Sequence, residues 1–120
     1  MKAAVTAQGK SMEAEVDPRF GRARHFVVVD TETGDFSVAD NRQSFDAAQG
    51  AGIQAGSNVA ALGVTDVVTG HMGPKAFRTL QAAGIRVHIG ATGTVREAIE
   101  QLKAGMLRLA DSADVEGHWV

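Results

Sequence analysis

From Lys2 onward the chain alternates between short apolar runs and polar gaps punctuated by glycine. KAAVTA predicts a first β-strand. HFVVVD and DFSVAD, separated by a turn at Thr33 and Gly34, predict a hairpin. DAAQGAGIQAGSNVAALG is alanine-rich and stops at Gly63, which predicts a helix, although Gly50, Gly52 and Gly56 weaken its start. VTDVVTG predicts a short buried strand. Pro74 suits a first helical position and Gly84 a C-terminal cap, so a helix is expected between them. IRVHIG is the next strand. Thr94 followed by Glu97 is a capping-box signature, and Val95, Ala98, Ile99 and Leu102 share one helical face. After Gly105 the tail MLRLADSADVEGHWV loses periodicity, and its polar end is expected to be loosely ordered.

The order is three strands, then helix, strand, helix, strand, helix. A βαβα second half implies parallel strands joined by right-handed crossovers. The hairpin adds an antiparallel partner. The expectation is an α/β fold: a mixed sheet of about five strands covered by helices. At 120 residues the chain reads as one domain, 1–120, with a core over 1–105 and a tail over 106–120.

Composition narrows the chemistry. Five Phe, one Trp and no Tyr leave the core to Val, Ala, Leu and Ile. A net charge of −2 provides no global field for nucleic acid or an anionic membrane, so any anion site must be local. The absence of cysteine excludes disulfides, thiolate zinc sites and thiolate-held iron–sulfur clusters. No apolar run is long enough to span a bilayer, and MKAAVTAQGK turns polar too soon for a signal peptide, so a cytoplasmic protein is expected.

Against that background, RFGRARH concentrates Arg19, Arg22, Arg24 and His25 in seven residues, after Asp17-Pro18. The loop holding them spans about 16 residues, long for a compact domain. Phe20-Gly21 allows close backbone approach, and the arginines offer planar donors to a multi-oxygen or multi-sulfur anion. A basic loop merely solvated, or paired with Glu13, Glu15 and Asp17, has the same composition. Two further loops precede helices at the edge where α/β sheets bind ligands: TGHMGP, with Thr69, Gly70, His71, Met72 and Gly73, and GATGT, with Thr92 and Gly93. Helix starts attract anions, and Lys75 adds a full charge to the first of them. Short βα loops also carry glycine simply to turn the chain. His71-Met72 sets an imidazole beside a thioether, a pairing that suits copper(I), though a loop methionine commonly packs. His88 alternates within a strand and reads as structural. GAGIQAG lacks the spacing and lysine of a nucleotide loop, so no nucleotide is expected. There is no nucleophile elbow and no catalytic carboxylate pair, so no catalytic residue is assigned and no enzyme is expected. A nuclease would need carboxylates clustered for two metal ions, and the first strand has none.

Three blocks carry a resemblance: DPRFGRARHFVVVD, GVTDVVTGHMGPKAFRTLQAAGIRVHIG and GTVREAIEQLKAG. In this order they resemble the dinitrogenase iron–molybdenum cofactor biosynthesis family, from Met1 to Gly105. The resemblance implies a ribonuclease-H-like domain, with a mixed five-stranded sheet, an antiparallel second strand and helices on both faces. It implies a protein that binds or carries metal–sulfur clusters, often containing molybdenum. The family's binding loop matches Arg19 to His25, and its second motif matches Thr69 to Lys75. A cysteine-free chain of this length is similar to a branch that holds a mixed molybdenum–copper sulfide cluster non-covalently. Arg19 and the lack of cysteine depart from relatives able to ligate iron directly, which disfavours an iron–molybdenum cofactor carrier of the nitrogenase type. A thiomolybdate-type cluster brings its own sulfides and is a multiply charged anion, suited to arginines, backbone N–H groups and apolar walls. The rival reading is an interaction module that docks a partner protein through the basic loop.

Overall fold

The valine- and alanine-rich runs form strands in the computed structural model, which describes residues 1–41 and 51–114. They are β1 (Lys2–Ala7), β2 (His25–Asp30), β3 (Phe36–Asp40), β4 (Asp66–Val68), β5 (Arg86–Ile89) and β6 (Arg108–Leu109), with helices α1 (Ala51–Ala60), α2 (Pro74–Ala82) and α3 (Val95–Lys103). The strands make one sheet in the order β3-β2-β1-β4-β5-β6. β2 runs antiparallel to β1 and β3, as expected. β1, β4 and β5 are parallel, with Ala4 opposite Val67 and Val67 opposite Val87.

Among the described residues the sheet has six strands, not five. The sixth lies in the tail, where the sequence shows no periodicity. It is two exposed residues long, so no alternation marks it. Backbone pairing defines it instead, with Leu109 opposite His88 and Arg108 opposite Ile89. The polar end of the tail, 115–120, and the start of the expected first helix, 46–50, lie outside the described residues.

Strand alternation divides the core between two faces. Ala4, Phe26, Val67, Val87 and Ile89 meet Val59 of α1 and Leu80 of α2. Ala3, Val5, Val27, Val29 and Val68 meet Val95, Ala98 and Ile99 of α3. Helices therefore cover both faces. Fully burying an aliphatic side chain of this kind stabilises the fold by about 1.5–3 kcal/mol. Gly56, which weakens α1 by propensity, lets it approach α2: a Cβ there would lie 2.8 Å from Thr79 Cγ2.

A rim of three loops at the carboxyl edge of the sheet

Because β1, β4 and β5 are parallel, the loops that follow them emerge at one edge. The loop after β1 folds back over the other two. His71 N donates to Pro18 O at 2.8 Å, and Phe20 N donates to His71 O at 3.4 Å. Val16 N donates to Gly93 O at 2.9 Å. The first crossing needs glycine, since a Cβ on Gly70 would lie 2.8 Å from Pro18 Cα. Beneath it, Thr6 Oγ1 sits 2.7 Å from Asp17 O and 2.8 Å from Thr69 Oγ1. With one proton, Thr6 donates to the carbonyl and accepts from Thr69. Both threonines are fully buried, so this chain satisfies hydroxyls that have no water.

The basic residues divide between two places on the rim. Arg22, Arg24 and His25 line a depression of about 240 Å³ together with Lys10, Ala23, Asp40 and Asn41. His25 Nδ1 lies 3.0 Å from Asp40 Oδ1. The lining thus combines three permanent cations and an imidazole with one carboxylate, in a chain of net charge −2. Asn41 holds this segment: its backbone N donates to Arg24 O at 2.9 Å and its Nδ2 to Ala23 O at 2.7 Å. Asn58 of α1 donates to Asn41 Oδ1 at 2.8 Å. The backbone of Arg19 instead pairs with that of His71 across the loops, and its N donates to Asp17 Oδ1 at 3.0 Å. Phe20 and Gly21 turn inward. Phe20 is fully buried, its ring centroid 5.8 Å from that of Phe26.

The two helix starts differ. At α3 the leading amides are taken up by the protein itself. Val95 N donates to Ala14 O and Arg96 N to Met12 O, both at 2.9 Å. Glu97 N donates to Thr94 Oγ1 at 3.2 Å, and Thr94 N to Glu97 Oε1 at 3.0 Å, completing the expected capping box. Thr92 is tied to Gln101, and Gly93 receives Val16, so both serve the frame of the rim. At α2 the N-cap is Gly73, which has no side chain to cap with, and Pro74 follows. Lys75 lies exposed in the first turn. Just before it, Met72 N donates to Asp114 Oδ1 at 2.6 Å, and Asp114 Oδ2 lies 2.8 Å from His71 Nδ1. The Met72 side chain is fully buried in the core, beside Phe20 and Phe77 in the same cluster.

His88 is structural, as the strand pattern implies. Its Nε2 lies 2.7 Å from Asp66 Oδ2, and Arg86 donates Nε and Nη2 to the same carboxylate at 3.0 and 2.9 Å. Burial pushes the Asp66 carboxyl up, but hydrogen bonds from Arg86, Thr65 and His88 outweigh it and hold the pKa below its ordinary value. Among the described residues no group of three or more His, Cys, Asp or Glu could hold a metal ion. Among them, too, no helix is long and apolar enough to cross a membrane.

Lys10, Asn41, Asn58 and Asp114 are the rim residues that sequence reasoning missed. Asn41, a polar residue directly after a strand, was the one detectable signal. The others join the site only through tertiary folding.

The family model described as dinitrogenase iron-molybdenum cofactor matches residues 1–105. The apo form of the orange protein from Desulfovibrio gigas superposes with a TM-score of 0.86 at 42% identity, covering 95% of this chain and 96% of that one. A putative NifB protein from Thermotoga gives a TM-score of 0.77 at 28% identity, over 96% and 97% of the two chains. An uncharacterized protein of Methanocaldococcus jannaschii is 28% identical over 94 residues, 77% of this chain and 80% of its own. With the family blocks lying along the strands and loops that build the rim, the chain belongs to the dinitrogenase iron–molybdenum cofactor family.

Proposed function

We propose that this protein binds and carries an anionic, molybdenum-containing metal–sulfide cluster, a mixed molybdenum–copper sulfide being favoured. It does so without catalytic turnover, in the cytoplasm, on a sheet of ribonuclease-H-like topology. The observation that carries this reading is the grouping of Lys10, Arg22, Arg24 and His25 around one depression at the carboxyl edge. The chain's net charge is −2, and concentrating positive charge there gives a multiply charged anion a local partner. The chain has no cysteine, so the cargo brings its own sulfur. That same lack disfavours the alternative cargo, an iron–molybdenum cofactor. Lys75, exposed in the first turn of α2, adds a further cation at the same edge of the sheet.

The test adds tetrathiomolybdate and copper(I) to purified protein, followed by desalting. The expected result is a coloured, stoichiometric complex. The Arg22→Ala, Arg24→Ala double variant retains less, and the loss grows with salt. If the wild type keeps no absorbance after desalting, the carrier reading fails. Capture of a protein partner that the same double substitution abolishes would then favour docking through the basic loop.

A further inference from the structure

The stretch Met106 to Asp114 runs from the end of α3 back to the rim. Its backbone is lightly pinned: Met106 N donates to Gln101 O, Ala110 N to Val87 O and Asp114 N to Met72 O, at 3.0, 2.8 and 3.1 Å. Between these points lies β6, and Met106 and Leu109 are 74% and 58% exposed. Leu107 and Ala110 are only partly buried against the two cores, so release gives up these two contacts and the short pairing of β6 with β5.

What it delivers is a carboxylate. Asp114 is only 14% exposed, and its two oxygens are both engaged on the β4–α2 loop, Oδ1 by the Met72 amide and Oδ2 by the His71 ring. An anion is thus already seated on this loop, and it belongs to the chain. The backbone of His71 is in turn paired with Arg19, and Arg22, which lines the basic depression, donates its amide to Arg19 O. The seat of Asp114 and the depression are consecutive stations on one loop crossing.

We propose that Asp114 is a built-in competitor: it fills the anion position of the β4–α2 loop in the empty protein, and an incoming anionic cluster displaces it and releases the 106–114 strap. This rests on the carrier reading above and adds its regulation. While Asp114 is seated the loop's donors keep a partner, so none is left buried and unsatisfied. A singly charged ion must compete with a tethered carboxylate at high effective concentration. A multiply charged cluster that engages the loop and the arginines together overcomes it. The strap therefore selects for charge and size.

Titration of wild type and Asp114→Asn with tetrathiomolybdate, followed by amide NMR, tests this. Asparagine keeps the shape and loses the charge, so the variant should fold. It is expected to bind about ten-fold more tightly, the factor by which a strap closed nine parts in ten weakens the wild type. Saturating the wild type should shift the Met72 and Asp114 amides together and speed exchange of the Asp114 amide with solvent. If wild type binds but Asp114→Asn binds equally or more weakly, the strap is overturned and the carrier reading stands. If neither binds, the carrier reading fails and the strap falls with it.

Discussion

Replacing Gly70 with alanine puts one methyl group where the loop after β1 crosses the loop after β4. Gly70 is not among the glycines with positive φ, so alanine meets no backbone strain there. The cost is contact alone. The new carbon would lie 2.8 Å from Pro18 Cα, 2.9 Å from Pro18 O and 3.0 Å from Pro18 Cβ. Carbon atoms pack at about 3.5 Å or more, so the loop must retreat by about 0.7 Å. Two of those atoms are backbone, and no rotamer change relieves them. Retreat stretches the bond from His71 N to Pro18 O, now 2.8 Å, and the already long one from Phe20 N to His71 O, at 3.4 Å. Overpacking of this kind costs about 1–3 kcal/mol, and losing one backbone hydrogen bond about 1 kcal/mol more. For a chain of this size about 2–4 kcal/mol lowers Tm by roughly 6–16 °C. Circular dichroism melts of wild type and Gly70→Ala measure it, and hydrogen exchange of the His71 amide reports the crossing itself. A Tm within about 1 °C of wild type, with the His71 amide still protected, refutes the steric reasoning.

Two further outcomes concern the scaffold. Asp66 is ionised below its ordinary pKa in the folded state, so its contribution is full above the unfolded value of about 4 and is lost as pH falls through the folded one. Urea midpoints should show Asp66→Asn costing about 1–3 kcal/mol at pH 7 and less at pH 3; equal costs at both would remove Asp66 from the acid response. Thr94→Ala removes the hydroxyl that accepts from Glu97 N, and should cost about 1 kcal/mol in the same assay. An unchanged midpoint would mean that the backbone contacts of the first turn suffice without the cap.

Local signals carried most of the framework. Pro74 opens α2 and Thr94 with Glu97 opens α3, because proline and the capping box act within a single turn. The hairpin around Thr33-Gly34 was legible from alternation. β6 was not, since two exposed residues carry no period. The basic loop stands out as a group in the sequence, but its division was invisible: the side chains of Arg22 and Arg24 line one depression, while the backbone of Arg19 pairs with that of His71. That division depends on where Pro18 crosses Gly70, a tertiary event. The two helix starts look alike as sequence. They differ because the backbone of Met12 and Ala14 reaches α3, and a carboxylate 42 residues away in sequence reaches Met72.

The rim is bound largely through main-chain atoms: Gln8 to Glu15, Val16 to Gly93, Val95 to Ala14, Arg96 to Met12 and His71 to Pro18. Such bonds do not read side-chain identity. Loop framework and surface charge are therefore separable in this protein. The exposed or half-buried side chains of Lys10, Arg22 and Arg24 can be rewritten, in charge or in shape, while the amides behind them keep the loops in place. That makes the rim a surface whose charge and shape can be changed without redesigning the fold beneath it.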